Sequence, residues 1–135
     1  MMYLFDTDTL SNLLKRTPAA RLLAKLATVP ASQRCISAIT VGELVYGAAR
    51  RGEQGIQLRE RIERDVIEKL QILSFDEVAA REYGTLRADL ERRGQPLADA
   101  DLRIAAIALV NGSILVTGNE RHFRRIAELS VENWL

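Results

Sequence analysis

The 135-residue sequence holds one cysteine, Cys35, and one histidine, His122. A lone cysteine excludes an internal disulfide, and a thiolate metal cluster has no further ligands to draw on. A lone histidine excludes a zinc site built on paired imidazoles. No apolar run approaches the roughly 20 residues that a membrane-spanning helix needs. The segment from Met1 to Phe5 has neither the basic flank nor the long apolar stretch of a secretory signal, so a soluble, cytoplasmic protein is expected. Lysine is scarce too: it occurs at Lys15, Lys25 and Lys69, and the remaining Lys/Arg positions are all arginine. Arginine suits bidentate phosphate contacts, although a general compositional bias gives the same skew. The net charge of +1 does not announce a polyanion-binding protein. If several carboxylates gather in one site, however, the rest of the surface is more basic than that total implies.

What is present is a hydrophobic content of 47%, enough for one compact domain with a core spanning 1–135. Tyr3-Leu4-Phe5 reads as a short buried strand that stops at Asp6-Thr7-Asp8, where Asp or Thr can cap a following helix. Leu10, Leu13 and Leu14 then recur at helical spacing, and Pro18 starts a second helix with Leu22, Leu23 and Leu26 on one face. Cys35-Ile36-Ser37 is a second strand, followed by a helix over Thr40 to Arg50 with its apolar stripe on Val41, Leu44, Val45, Ala48 and Ala49. A charged helix runs to about Lys69, with Leu58, Ile62, Val66 and Leu70 at core spacing. A third strand covers Ile72 to Phe75, and Asp76 caps a helix that Gly94 and Pro96 end. Asp99-Ala100-Asp101 opens an Ala-rich apolar helix closed by Asn111-Gly112. Ser113 to Thr117 is the fourth strand, and a short fifth lies near Val131. Strands alternating with helices predict an α/β fold: a central, mostly parallel sheet of four to five strands flanked by helices. Ligands in such folds sit outside the carboxyl ends of the strands, which here means Asp6, the residues after Ile36 and the loop from Thr117 to Asn119.

The acids at those positions carry the chemistry. Asp6 and Asp8 share one turn; both cannot cap, and like charges close together are unfavourable unless a cation lies between them. Glu43 falls opposite its helix's apolar stripe, which alone reads as a solvated face. Gly42 and Gly47 flank it inside the helix, where each costs up to ~1 kcal/mol relative to Ala. Something is therefore expected to approach this face closely, as the floor of a cleft would allow. In the Ala-rich helix, Asp99 suits the N-cap and complements the macrodipole. Asp101 is left without a capping duty on an otherwise buried helix, and a buried acid without a task is uncommon. Thr117, Gly118 and Asn119 can add a hydroxyl, backbone amides and an amide oxygen. These hard oxygen donors suit Mg²⁺ or, in its place, Mn²⁺. With no Ser-His pair to compete, metal-assisted phosphodiester hydrolysis fits best.

Taken in order, the runs Tyr3-Leu-Phe-Asp-Thr-Asp, Ile39-Thr-Val-Gly-Glu-Leu-Val-Tyr-Gly, Asp101-Leu-Arg-Ile-Ala-Ala and Ile114-Leu-Val-Thr-Gly-Asn resemble the PIN-domain ribonucleases, specifically VapC-like toxins. The closing Val131-Glu-Asn-Trp is similar to that family's C-terminal segment, so the resemblance spans the chain. It implies a three-layer PIN-like sandwich and a Mg²⁺-dependent endoribonuclease, commonly a homodimer, inhibited by a cognate VapB-like antitoxin. The family's acidic metal site falls on Asp6, Glu43 and Asp101, with Asn119 at a fourth position and Thr117 as an accompanying hydroxyl. Asp8 stands where many members carry Asn, and His122 stands before Phe123 where an acid is often found. Asp8 and Asp99 remain supporting candidates, and Arg16, Arg50, Arg51 and Arg103 are candidate phosphate contacts. Two rivals share the first motif. A phosphatase of the haloacid-dehalogenase type would use Asp6 as its nucleophile, but the glycine after the second Asp and a later lysine are missing. A response-regulator receiver wants a lysine where Thr117-Gly-Asn stands. A PIN-like binding module without activity is the non-enzyme alternative.

Overall fold

The computed structural model describes residues 1–135. Five strands form one sheet: β1 (Tyr3–Phe5), β2 (Arg34–Ser37), β3 (Gln71–Leu73), β4 (Ile114–Val116) and β5 (Val131–Glu132), in the order β3-β2-β1-β4-β5. Every pairing is parallel, with Leu4 opposite Cys35 on one side and Leu115 on the other. A parallel sheet must be covered on both faces, so its central strands are apolar throughout rather than alternating with polar residues. Leu4, Phe5, Cys35, Ile36, Leu115 and Val116 are all at most 1% exposed.

The period-2 geometry of a strand divides these residues between two cores. Leu4, Cys35 and Leu115 pack against α5 (Glu77–Arg92) and α6 (Asp99–Val110). Phe5, Ile36 and Val116 face the opposite layer, made by α1 (Thr7–Leu13), α2 (Ala20–Ala27), α3 (Ala38–Ala49) and α4 (Ile56–Arg61). Trp134 closes that second core, stacking at an angle on Tyr3 and edge-on to Phe5 at centroid distances of 5.3 and 5.4 Å. The small helix α7 (Glu120–Phe123) connects β4 towards β5. The three-layer expectation therefore holds, with five strands.

As expected, α6 is buried nearly all round from Leu102 to Ala108, and Gly112 ends it with φ +62°. Other details differ. The second helix begins at Ala20 rather than Pro18, and Leu23 is 47% exposed, so only Leu22 is fully buried on that helix. The charged helix is not continuous: after Arg61 it widens into a π turn over Ile62–Val66, then a 3₁₀ turn over Ile67–Lys69. Ile62 and Val66 are both buried, as their core spacing predicts, but the π turn that carries them is not legible in that spacing. The third strand covers Gln71–Leu73, at the sheet edge, where Ile72 is 48% exposed. Gly55 fixes how α4 meets α3, because a Cβ there would lie 1.9 Å from the Ala48 carbonyl oxygen.

Candidate metal centre

The chain runs outward from β1 to β2 and β3, then returns to place β4 on the other side of β1. The connections therefore diverge between the carboxyl ends of β1 and β4, the switch point at which open α/β sheets hold their ligands. A polar cleft of about 420 Å³ opens there, lined by Asp6, Thr7, Asp8, Glu43, Asp101, Gly118 and Asn119, none of them hydrophobic.

Asp6 sits at the bottom, 6% exposed. One carboxylate oxygen accepts from the Thr7 amide at 2.8 Å, which caps α1, and the other accepts from Thr117 Oγ1 at 2.8 Å. Capping and site-building are thus one arrangement rather than alternatives. Burial pushes the Asp6 carboxyl up to about 6, aided by the nearby charges of Asp8 and Asp101 and opposed by its two hydrogen bonds. Asp8 joins the same cleft: its Oδ2 accepts from the Gly118 amide at 2.9 Å, and Thr9 and Thr117 hydroxyls lie near its Oδ1. A glycine lets the two approach without adjustment, since a Cβ at Gly118 would stand 2.7 Å from Leu135 Cδ1 and 2.8 Å from Asp8 Oδ2 and the two side chains would have to shift.

Glu43 reaches the cleft from α3, with Oε1 2.5 Å from the Thr7 hydroxyl. A carboxylate can only accept, so the single Thr7 proton points at Glu43. Thr40 Oγ1, 3.1 Å from Thr7 Oγ1, then donates to Thr7, and Ser37 Oγ donates to Thr40 at 3.1 Å. The result is a one-way chain of hydroxyls ending on Glu43. Sequence reasoning missed Thr7, Ser37 and Thr40. Ser37 follows Ile36 at a strand end, and Ser37 with Thr40 has the spacing of an N-cap whose hydroxyl accepts the Thr40 amide at 3.0 Å. Those were the available signals. No protein atom lies within 4 Å of a Cβ built at Gly42 or Gly47, so the chain itself leaves this part of α3 open, and Gly47 lines a groove there.

Asp101 projects from the first turn of α6 and is half-buried. Burial raises its pKa, as do the charges of Glu43 and Asp8, while His122 opposes the rise. No hydrogen bond offsets that burial. Asp99 does not belong with it. Ala98 occupies the N-cap position without a side-chain hydrogen bond, contrary to the expected capping role of Asp99. Asp99 is the first helical residue and turns away, bound by the Tyr83 hydroxyl and, at 2.7 Å, by Arg103. Arg103 in turn lies over Phe75 and Tyr83 at 5.1 and 5.2 Å, so it is occupied within the fold rather than extended to a phosphate. Asn119 lines the cleft, but its Oδ1 lies 2.5 Å from His122 Nδ1. The unexpected histidine thus engages the oxygen that Asn119 was expected to offer.

This donor set suits a hard divalent cation, because it consists of carboxylate and hydroxyl oxygens with no thiolate or imidazole pair. The carboxylates do not stand in a closed ligand group of three or more; mutual repulsion favours such spacing until a cation intervenes.

Comparison with known proteins agrees with this geometry. The model of the PIN domain matches residues 3–129. Ribonuclease VapC2 of Haemophilus influenzae is 34% identical over 137 residues, covering 100% of this chain and 99% of the relative. The tRNA(fMet)-specific endonuclease VapC of Salmonella typhimurium is 33% identical over 136 residues, covering 99% and 98%. A crystal structure of DNA-bound VapBC from Salmonella typhimurium superposes with a TM-score of 0.88 at 32% identity, covering 100% of this chain and 99% of that one. A family model spanning nearly the whole chain, relatives aligned end to end and a shared parallel sheet leave one assignment: this chain belongs to the PIN-domain family.

Proposed function

We propose that residues 1–135 act as one endoribonuclease domain, the VapC-like toxin of a toxin–antitoxin pair, cleaving RNA phosphodiester bonds in the cytoplasm. Its relatives include named ribonucleases aligned over their full length. No helix is long and apolar enough to cross a membrane. In this reading the protein is a homodimer whose activity is blocked when a VapB-like antitoxin covers the acidic cleft.

The observation that carries the site assignment is the gathering of Asp6, Asp8, Glu43 and Asp101 in one polar cleft, with Asp6 buried and its carboxyl pushed up to about 6. Asp6, Glu43 and Asp101 would hold Mg²⁺, with Mn²⁺ as a substitute, and Asp8 and Thr117 would support them. Bound there, the ion would supply Lewis acidity and neutralise phosphate charge. The protein's own contribution is positioning. Thr117 and the Thr7 amide hold both oxygens of Asp6, and the Ser37–Thr40–Thr7 hydroxyl chain holds one oxygen of Glu43. The second Glu43 oxygen is free to bind the ion or to take a proton from an attacking water. Asn119, tied to His122, stands at the rim to position the substrate.

The test is cleavage of RNA by the purified chain in Mg²⁺, in EDTA, and in EDTA followed by excess Mn²⁺. Cleavage is expected with either metal and not with EDTA alone. Asp101→Asn is expected to abolish it while the far-UV circular dichroism stays unchanged. Full activity in both Asp6→Asn and Asp101→Asn would remove the site assignment. Turnover of a small aryl phosphate without RNA cleavage would move the chain to the phosphatase class.

A further inference from the structure

A second, larger groove of about 560 Å³ joins the acidic cleft, and Thr7 and Glu43 line both. Its charge is opposite. Lys15, Arg50, Arg51 and Arg61 line it, and Glu43, at the shared end, is its one acid. Ion pairing elsewhere sharpens the contrast. Arg59, Arg64, Arg81, Arg87, Arg93 and Arg103 each pair with a carboxylate, whereas the four groove cations have none, as is also true of scattered cations such as Arg16, Arg121 and Arg125; what marks the groove is that its unpaired cations are gathered together. Arg61 is held in place by donating to the Leu14 carbonyl at 2.7 Å. The close fit of Gly55 on Ala48 brings the segment carrying Arg51, Gln54 and Gln57 beside α3 as the far wall.

One face of α3 runs along this groove. Glu43, Gly47 and Arg50, at i, i+4 and i+7, line it, and Tyr46, at i+3, stands exposed at its border rather than in its lining. Gly47 keeps the floor open, with no atom within 4 Å of a Cβ built there. Tyr46 is 67% exposed, a large apolar ring without a packing role, and the Arg50 guanidinium lies 5.9 Å from its centroid. An exposed aromatic ring beside unpaired arginines is the combination with which proteins hold single-stranded nucleic acid: bases stack on the ring and cations follow the backbone.

We propose that this groove binds the single-stranded RNA on one side of the scissile phosphate, with Tyr46 stacking a base and Arg50, Arg51 and Lys15 contacting successive phosphates. The inference rests on the reading of the chain as a ribonuclease and adds the path that the substrate takes from the acids. Tyr46 is then a specificity and positioning residue, set one helical turn from Glu43.

The test is fluorescence anisotropy with a short, fluorescein-labelled single-stranded RNA of mixed sequence, in Ca²⁺ in place of Mg²⁺, with the RNA checked by gel to stay intact. Tyr46→Ala is expected to weaken binding by roughly 5- to 100-fold, the loss of one stacked base. Tyr46→Phe, which keeps the ring, is expected to bind as the unaltered protein does. The double substitution Arg50→Ala, Arg51→Ala is expected to weaken binding and to lower the slope of log K against log salt by about 1.4, or ~0.7 for each phosphate contact. All three side chains are exposed, so melting temperatures should not move. Unchanged affinity and salt slope in Tyr46→Ala and in the double variant would overturn the proposal. Unchanged RNA affinity with lost binding of the antitoxin protein would assign the groove to protein recognition and overturn it equally. If the unaltered chain fails to cleave RNA yet its RNA binding depends on Tyr46 and the arginines, the hydrolase reading fails and the groove stands.

Discussion

Asp6→Asn should make the metal-free protein more stable while destroying the site. Asp6 is 6% exposed, and its carboxyl is pushed up to about 6 from an ordinary value of 3.8, chiefly by burial. Between those two pH values the folded chain holds more protons on this group than the unfolded chain. Stability therefore falls as pH rises through that window, and the full cost is present above pH 6. A shift of about two units corresponds to roughly 3 kcal/mol. Asparagine relieves the repulsion from Asp8 and Asp101 along with the burial cost, but it leaves one amide N–H without a partner in the buried site, so the net gain is about 1–2 kcal/mol. Asparagine keeps the geometry: its oxygen can accept from the Thr7 amide, and its NH₂ can donate to Thr117 Oγ1, reversing that bond. Urea unfolding in EDTA at pH 8 should show the gain, equivalent to roughly 3–8 °C in melting temperature. The difference should shrink towards zero near pH 4. Added Mg²⁺ should raise the melting temperature of the unaltered chain and leave that of the variant nearly unmoved, because the proposed site holds the ion through the Asp6 carboxylate and an ion bound to the native state stabilises it. A variant less stable than the parent at pH 8, by a margin indifferent to pH, would refute the claim that Asp6 carries an uncompensated buried charge.

Three further outcomes are expected. Asp99→Asn should leave Mg²⁺-dependent cleavage intact, because Asp99 faces Tyr83 and Arg103 and not the cleft; an RNA cleavage assay beside Asp101→Asn decides this. Gly55→Ala should destabilise the fold by about 3 kcal/mol or more, since its Cβ would meet backbone at 1.9 Å and α4 must shift from α3; an unchanged denaturation midpoint would contradict it. Trp134→Ala removes a side chain only 2% exposed that packs on Tyr3 and Phe5, and should cost about 3–5 kcal/mol by urea unfolding.

The sequence by itself determined the α/β class, the parallel sheet and the positions of Asp6, Glu43 and Asp101. These follow from local rules. Strands buried on both faces must be continuously apolar, as Leu4-Phe5 and Leu115-Val116 are, and polar residues concentrate where such runs end. The order of the motifs along the chain added the family. The tertiary structure decided what depends on directions rather than spacings. Asp99 and Asp101 are two residues apart on one helix, and their side chains therefore diverge; the packing of α6 on α5 decided that Asp99, expected to cap, instead engages Tyr83 while Asp101 lines the cleft. Asp8 became part of the same cleft because the loop after β4 brings the Gly118 amide to it, a contact between residues far apart in sequence. The π turn at Ile62–Val66 escaped periodicity, since apolar residues four apart fit an α turn equally well. Charge followed the same division. A net charge of +1 concealed acids gathered at one end of a continuous groove and unpaired cations along the rest, because composition counts charges while only the fold places them.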